Sequence, residues 1–248
     1  MPEFDEAHPS VFHPAHPSLP FIFDLALIFD MDGVMIDSMP VHEIAWRKYL
    51  ESLGVADEDL LARMHGRRND EIVLDFLGPS ADLHSVREHG AAKERLYRQL
   101  MRDQLEQQLV PGIRQFLLEA SDFPVGLASN AERPNIDFVL DGAGIRAHFQ
   151  AIVDGSQVQN PKPAPDVYLK AARELGVAPG NCIVFEDSPV GVAAARSAGM
   201  RVVGLLTHER SLQHVDLAVT DFLDPRLQLW LNEQLESQRS EIKPFEIK

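Results

Sequence analysis

An unbroken apolar run, Leu25–Phe29 (LALIF), delivers Asp30 and Asp32 to its C-terminal end and stops at Gly33. Five apolar residues without alternation predict a strand covered on both faces, as in a parallel sheet. After Ser38 the period changes. Ile44, Ala45, Tyr49, Leu50 and Leu53 mark one face of a helix running up to Gly54, a glycine placed to stop it. Two further short helices are expected between Leu60 and Leu77, separated by GRRND (66–70), and then one long charged helix from Ser85 to Leu109. No strand signal interrupts this block.

Beyond Val110 helices and strands alternate. Pro111-Gly112 opens a helix through Ile113, Phe116 and Leu117, and strand Val125–Ser129 follows. Next come a helix near Pro134–Leu140, strand Ala151–Val153, a helix from Pro165 to Leu175 and strand Cys182–Glu186. A helix from Pro189 to Ser197, strand Arg201–Leu205 and a short strand near Ala218–Val219 complete the alternation. The pattern predicts an α/β fold with a doubly wound parallel sheet, and a helical cap inserted after the first strand. The expected division is a His/Pro leader (1–20), a core (21–37 and 108–228), a cap (38–107) and a C-terminal helix and tail (229–248).

Composition narrows the function. The 248 residues are 45% hydrophobic, ample for a core, and carry a formal charge of −15. Such acidity argues against a nucleic-acid partner, which requires clustered Lys and Arg. A small anion remains compatible, because a local metal and a few basic groups override the distant field. The single cysteine, Cys182, forms no internal disulfide and sits in an apolar run, which predicts a buried thiol and a reducing compartment. The first twenty residues have Pro at 9, 14, 17 and 20 and lack the basic and apolar regions of a signal peptide. They read as a solvated leader, although His8, His13 and His16 are metal-capable. Phe21–Phe29 is too short to span a bilayer. The expectation is a cytoplasmic protein with no membrane partner, acting as a monomer or weak homodimer.

Ligands of doubly wound sheets sit at the C-terminal strand ends, so those positions carry the chemistry. Asp30 and Asp32 repel one another and need a cation or donors to stay ionised; oxygen-only ligation favours Mg²⁺ over Zn²⁺. Ser129 and Asn130 end the second strand, where a hydroxyl and free N–H groups either hold phosphate oxygens or cap the next helix. Lys162, between Pro161 and Pro163, is a point charge on a restricted backbone, suited to phosphate or to screening carboxylates. Glu186 and Asp187 follow a buried strand just before Ser188 and Pro189, which read as N-cap and first helical residue. A metal explains both acids.

In this order, the DMDGV/IDS stretch, Ser129, Lys162 and Glu186/Asp187 resemble the four core motifs of the haloacid dehalogenase superfamily. The cap position resembles subclass I, and FDMDGVMIDS, GLASN, NPKPAPDVY and FEDSPVG are similar to the β-phosphoglucomutase-like phosphatases. The resemblance implies a nucleophilic Asp30 that takes the phosphoryl group of a small phosphorylated metabolite as an aspartyl-phosphate. It implies that Asp32 protonates the leaving alkoxide and then deprotonates water, a role absent from the dehalogenase branch. It further implies Mg²⁺ held by Asp30, the backbone carbonyl of Asp32 and Asp187, with Glu186 as ligand or water-orienter. Lys162, Ser129 and N–H groups near Met31 and Asn130 would hold the phosphate oxygens.

Within the cap, the resemblance assigns substrate contact to Gly66, Arg67 and Arg68. Asn69 departs from relatives that place a Schiff-base Lys or an Arg there, which counts against phosphonate cleavage and mutase chemistry. His42 with Trp46, and Lys93 with Tyr97, resemble the mutases' hinge-side helix and their site for a distal phosphate. Each also has a plainer reading: His42 as a half-buried helix residue, Lys93 as part of a solvated charged face. The leading expectation is a Mg²⁺-dependent sugar-phosphate phosphatase. A phosphoglucomutase is the alternative, and a non-catalytic phosphate binder on the same fold is a third.

Overall fold

The computed structural model describes residues 25–55 and 69–241. Its centre is a six-stranded parallel sheet in the order β3-β2-β1-β4-β5-β6. The strands are β1 (Ala26–Phe29), β2 (Val125–Ala128), β3 (Ala151–Val153), β4 (Cys182–Glu186), β5 (Arg201–Leu205) and β6 (Leu217–Val219). The expected α/β doubly wound fold is therefore present. The apolar run of β1 lies between β2 and β4 and is buried along its length.

Alternation along β1 sends successive side chains to opposite faces of the sheet. Leu27 and Phe29 join one core cluster, which includes Phe116, Phe185 and Phe222, while Ala26 and Ile28 join a second with Val167, Tyr168 and Ala195. Phe29 stacks on Phe185 with ring centroids 4.5 Å apart. Both faces are covered, which is why the strand contains no polar position. Cys182 belongs to the second cluster as a buried free thiol, and burial pushes its pKa up to about 12.

The helices are α1 (Met39–Ser52), α2 (Asn69–Leu77), α3 (Leu83–Met101), α4 (Ile113–Glu119), α5 (Arg133–Gly142), α6 (Asp166–Leu175), α7 (Pro189–Ser197) and α8 (Pro225–Glu241). Between β1 and β2, helices α1 to α3 share a small apolar core of Trp46, Leu50, Ile72, Val73 and Val86. Asp82 starts α3 by accepting from the Ser85 N–H. Ser188 starts α7 by accepting from the Gly191 N–H, with Pro189 in the first turn.

One expectation is corrected. The helix expected to reach Leu109 stops at Met101, and residues 102–108 turn instead. The backbone there must run back alongside the segment leaving β1. Asp37 N–H donates to Gln108 O at 2.7 Å, Val110 N–H donates to Met35 O at 3.0 Å, and Ile36 bridges Leu109 in antiparallel fashion. A continuing helix would have used those groups internally. The last helix, expected after Asp224, is α8, whose Leu227 and Leu231 pack into the same core cluster as Phe29.

Candidate active site

In-register pairing assembles the strand ends. Phe29 of β1 lies opposite Leu127 of β2 and Phe185 of β4. The next residues, Asp30 and Glu186, therefore leave the sheet side by side, and Asp30 N–H extends the ladder onto Phe185 O at 3.0 Å. One residue further, Ser129 follows β2.

Lys162 connects the acids. Its Nζ lies 2.7 Å from Asp30 Oδ1 and 2.7 Å from Glu186 Oε1, with all three side chains buried. Burial alone would lower the lysine's pKa, but Asp30 and Glu186 together hold it above its ordinary value. Asn130 Oδ1 accepts the Lys162 N–H at 3.2 Å, so the residue after the second strand anchors the lysine's loop. The loop fits because residue 155 is glycine: a Cβ there would lie 2.8 Å from Asn130 O.

Glu186 uses both carboxylate oxygens on protein donors. Oε1 accepts from Lys162 and from Tyr168 Oη (2.6 Å), and Oε2 accepts from the N–H groups of Asp187 and Ser188 and from Ser188 Oγ. Burial opposes ionisation, yet Lys162 and these donors hold its pKa below the usual range. Asp30 and Asp187 contrast with it. Burial, reinforced by neighbouring carboxylates, pushes Asp30 up to about 7 and Asp187 up to about 9, with Lys162 only partly offsetting the rise. Ligand oxygens of Asp30, Glu186 and Asp187 lie within 4.8 Å of one another. Raised acids with acceptor capacity left, all oxygen donors, fit a hard divalent cation.

Asp32 stands apart from that cluster. Its carboxylate is half-buried and accepts from Ser38 Oγ at 2.6 Å, while His42 Nε2 is 3.8 Å from the same oxygen. Two aspartates two residues apart thus occupy different settings, one beside Lys162 and one beside the first helix of the inserted block. Thr207, in the loop after β5, donates to Gly33 O at 2.6 Å and secures the turn between them and that helix.

Ser129 is buried, and its Oγ accepts from Ala131 N–H at 3.1 Å. Neither Ser129 nor Asn130 caps the following helix, because α5 begins at Arg133 with Glu132 as its N-cap. The capping reading is thereby excluded for both.

Lys93 overturns the expectation of a solvated face: it is 2% exposed. Its Nζ lies 2.8 Å from His42 Nδ1, 2.9 Å from Glu94 Oε1 and 5.1 Å from the centroid of Trp46. His42 is half-buried and stacks on Tyr97, with centroids 3.8 Å apart. Asn69, notable in the sequence only as a departure, donates to Glu94 at 2.5 Å. Gly66, Arg67 and Arg68, together with His8, His13 and His16, lie outside the described residues.

The sequence reading missed Tyr168, Ser38, Glu94 and Asn135. Tyr168 carried a usable signal, since a tyrosine on the buried face of a helix requires a partner for its hydroxyl. Glu94 and Asn135 carried none. Both look like ordinary polar helix residues until α3 and α5 are brought together.

This arrangement belongs to a known class. The family model described as haloacid dehalogenase-like hydrolase matches residues 25–199, and the chain belongs to that family. Among curated relatives, it is 33% identical over 222 residues to the beta-phosphoglucomutase of Bacillus subtilis, covering 86% of this chain and 96% of the relative. It is 32% identical over 182 residues to the fructose-1-phosphate phosphatase of Escherichia coli, covering 71% and 94%. Among solved structures, a beta-phosphoglucomutase from Clostridium difficile superposes with a TM-score of 0.74 at 28% identity, over 87% of this chain and 98% of that one. The protein is thus an enzyme of the phosphoric monoester hydrolase type, with phosphatases and phosphomutases among its relatives. No helix among the described residues is long and apolar enough to cross a membrane.

Proposed function

We propose that the chain is a Mg²⁺-dependent phosphatase that hydrolyses a small phosphate monoester, a sugar phosphate, through an aspartyl-phosphate on Asp30. The observation carrying this reading is the separation of the two aspartates: Asp30 against Lys162, Asp32 against Ser38. Attack by a carboxylate oxygen of Asp30 on phosphorus forms the acyl-phosphate and expels the alkoxide. Asp32 gives that alkoxide its proton. The resulting carboxylate then takes a proton from the water that attacks phosphorus, and inorganic phosphate leaves as Asp30 is regenerated. Lys162 and Ser129 hold equatorial phosphate oxygens, where transition-state charge accumulates.

Asp30, Asp187 and the Asp32 carbonyl would hold Mg²⁺, whose charge lets an anionic carboxylate approach an anionic phosphate. Glu186 positions Lys162 and Tyr168 rather than binding the metal, because its oxygens already serve protein donors. Substrate selection falls to the inserted block, where the family resemblance assigns substrate contact to Gly66, Arg67 and Arg68. A cytoplasmic enzyme needing no partner beyond its metabolite, as a monomer or weak homodimer, completes the reading.

A panel of phosphate esters, with and without Mg²⁺, tests it. Phosphate should be released only with the metal, and Asp30→Asn should abolish release; unchanged turnover in that variant rules the mechanism out. The similarity to the Bacillus subtilis mutase favours one second reading, a phosphoglucomutase. That reading requires interconversion of β-glucose 1-phosphate and glucose 6-phosphate, with a bisphosphate primer, in place of free phosphate. Phosphate binding without turnover across the panel would favour a binding protein.

A further inference from the structure

Asp30 is 7% exposed and Lys162 8%. A phosphate ester reaches them only if something moves. The helical block between β1 and β2 joins the sheet through two adjacent segments, paired by Asp37 N–H on Gln108 O and by the Ile36–Leu109 bridge. A unit tied on by two neighbouring segments can rotate about them.

One buried polar side chain of the sheet-flanking helices reaches into this block. Asn135, on α5 just beyond the Ser129 strand end, is 3% exposed and uses both ends of its amide on α3. Its Nδ2 donates to Glu94 Oε2 at 2.7 Å, and its Oδ1 accepts from Arg98 Nη1 at 2.5 Å. Glu94 Oε1 in turn accepts from Lys93 Nζ (2.9 Å), and Lys93 Nζ lies 2.8 Å from His42 Nδ1. His42 Nε2 faces Asp32. A continuous polar chain therefore runs from Asn135 through the block to the carboxylate assigned the proton transfers.

We infer that Asn135 is a positioning residue that latches the helical block onto the sheet and ties that closure to the placement of Asp32. When the block rotates away, Asn135 is the group left behind, while Glu94, Lys93 and His42 travel together. The amide is suited to this task because its two ends meet opposite demands, a carboxylate and a guanidinium. An aspartate of the same shape satisfies Arg98 but sets a second carboxylate against Glu94.

This inference rests on the proposed phosphatase reading, so its test includes a measurement that needs no turnover. Spin labels at Ser80→Cys on the block and Glu174→Cys on the sheet side report closure by distance distribution, and buried Cys182 stays unlabelled. In Asn135→Asp, a longer-distance population should appear and kcat should fall about tenfold or more, as for loss of a charge-assisted buried hydrogen bond. Adding Glu94→Gln restores a donor opposite the new carboxylate while still accepting from Lys93, and should recover most of both. The proposal is overturned if Asn135→Asp leaves either the distances or kcat unchanged, or if the double variant recovers neither. Should the unmutated chain turn over no ester, the phosphatase reading fails, and the distances alone then decide whether the latch exists.

Discussion

Asp187 occupies the space that a side chain at Gly33 would take: a Cβ on residue 33 would lie 1.8 Å from Asp187 Oδ2. Gly33 also has φ +74°, the left-handed region that favours glycine. The turn after β1 and the acid after β4 are thus built to touch.

Gly33→Ala should accordingly damage the proposed metal site more than the fold. The strained φ costs about 1 kcal/mol or somewhat more, readable by urea unfolding. Displacing Asp187 should raise the Mg²⁺ concentration needed for half-maximal turnover at least about tenfold, since one carboxylate ligand leaves. A Mg²⁺ titration of ester hydrolysis checks this, and an unchanged metal requirement would remove Asp187 from the ligand set.

Lys162→Met tests the central ion pair. The substitution leaves Asp30 and Glu186 facing one another, buried, without their shared cation. Breaking a buried pair from one side costs about 3–5 kcal/mol, and the variant should lose that much stability in metal-free urea unfolding. Added Mg²⁺ should recover part of the loss by neutralising the same carboxylates. Turnover should fall to background with metal present, because the cation paired with Asp30 is lost.

The raised acids set a pH dependence with a definite sign. Asp187 at about 9 and Asp30 at about 7 stay protonated in the metal-free fold over a range where the unfolded chain has released those protons. Stability from this source is full below the ordinary carboxylate value, and it is lost as pH rises through about 7 and then about 9. Mg²⁺ binding must displace these protons, so its affinity should increase across the same window. Urea midpoints from about pH 5 to about pH 9, with and without Mg²⁺, should diverge as pH rises. Parallel curves would mean that the two acids do not meet the cation.

Much of the fold was legible because burial on both faces leaves a mark on sequence. β1, β4 and β5 are apolar runs in the chain and central strands in the sheet. The strand-end acids were legible for a related reason, since charges directly after a buried run need an explanation that a loop does not supply. The end of α3 was less visible. Nothing in residues 102–108 breaks a helix by propensity; the turn is imposed by pairing with residues 35–37.

The inserted block was the least legible part. Lys93 sits in the sequence among charged neighbours, and periodicity assigns it no partner. In the structure it is among the most buried charges, because Glu94, Asn69 and His42 converge on its ammonium from three helices. Whether a charge is buried depends on what faces it, and what faces it depends on packing between elements distant in the chain.

By itself the sequence determined the order of strands and helices, the parallel sheet, and which residue types stand at its C-terminal edge, because local periodicity and strand-end charge are properties of short segments. The tertiary structure decided how those residues divide the work: Glu186 committed to Lys162 and Tyr168, Asp187 set against Gly33, Asp32 turned toward Ser38, and Asn135 joined to Glu94. These are pairings across long sequence separations, and hydrogen bonds and Coulomb interactions act over a few ångströms of space, whatever the number of residues between the partners.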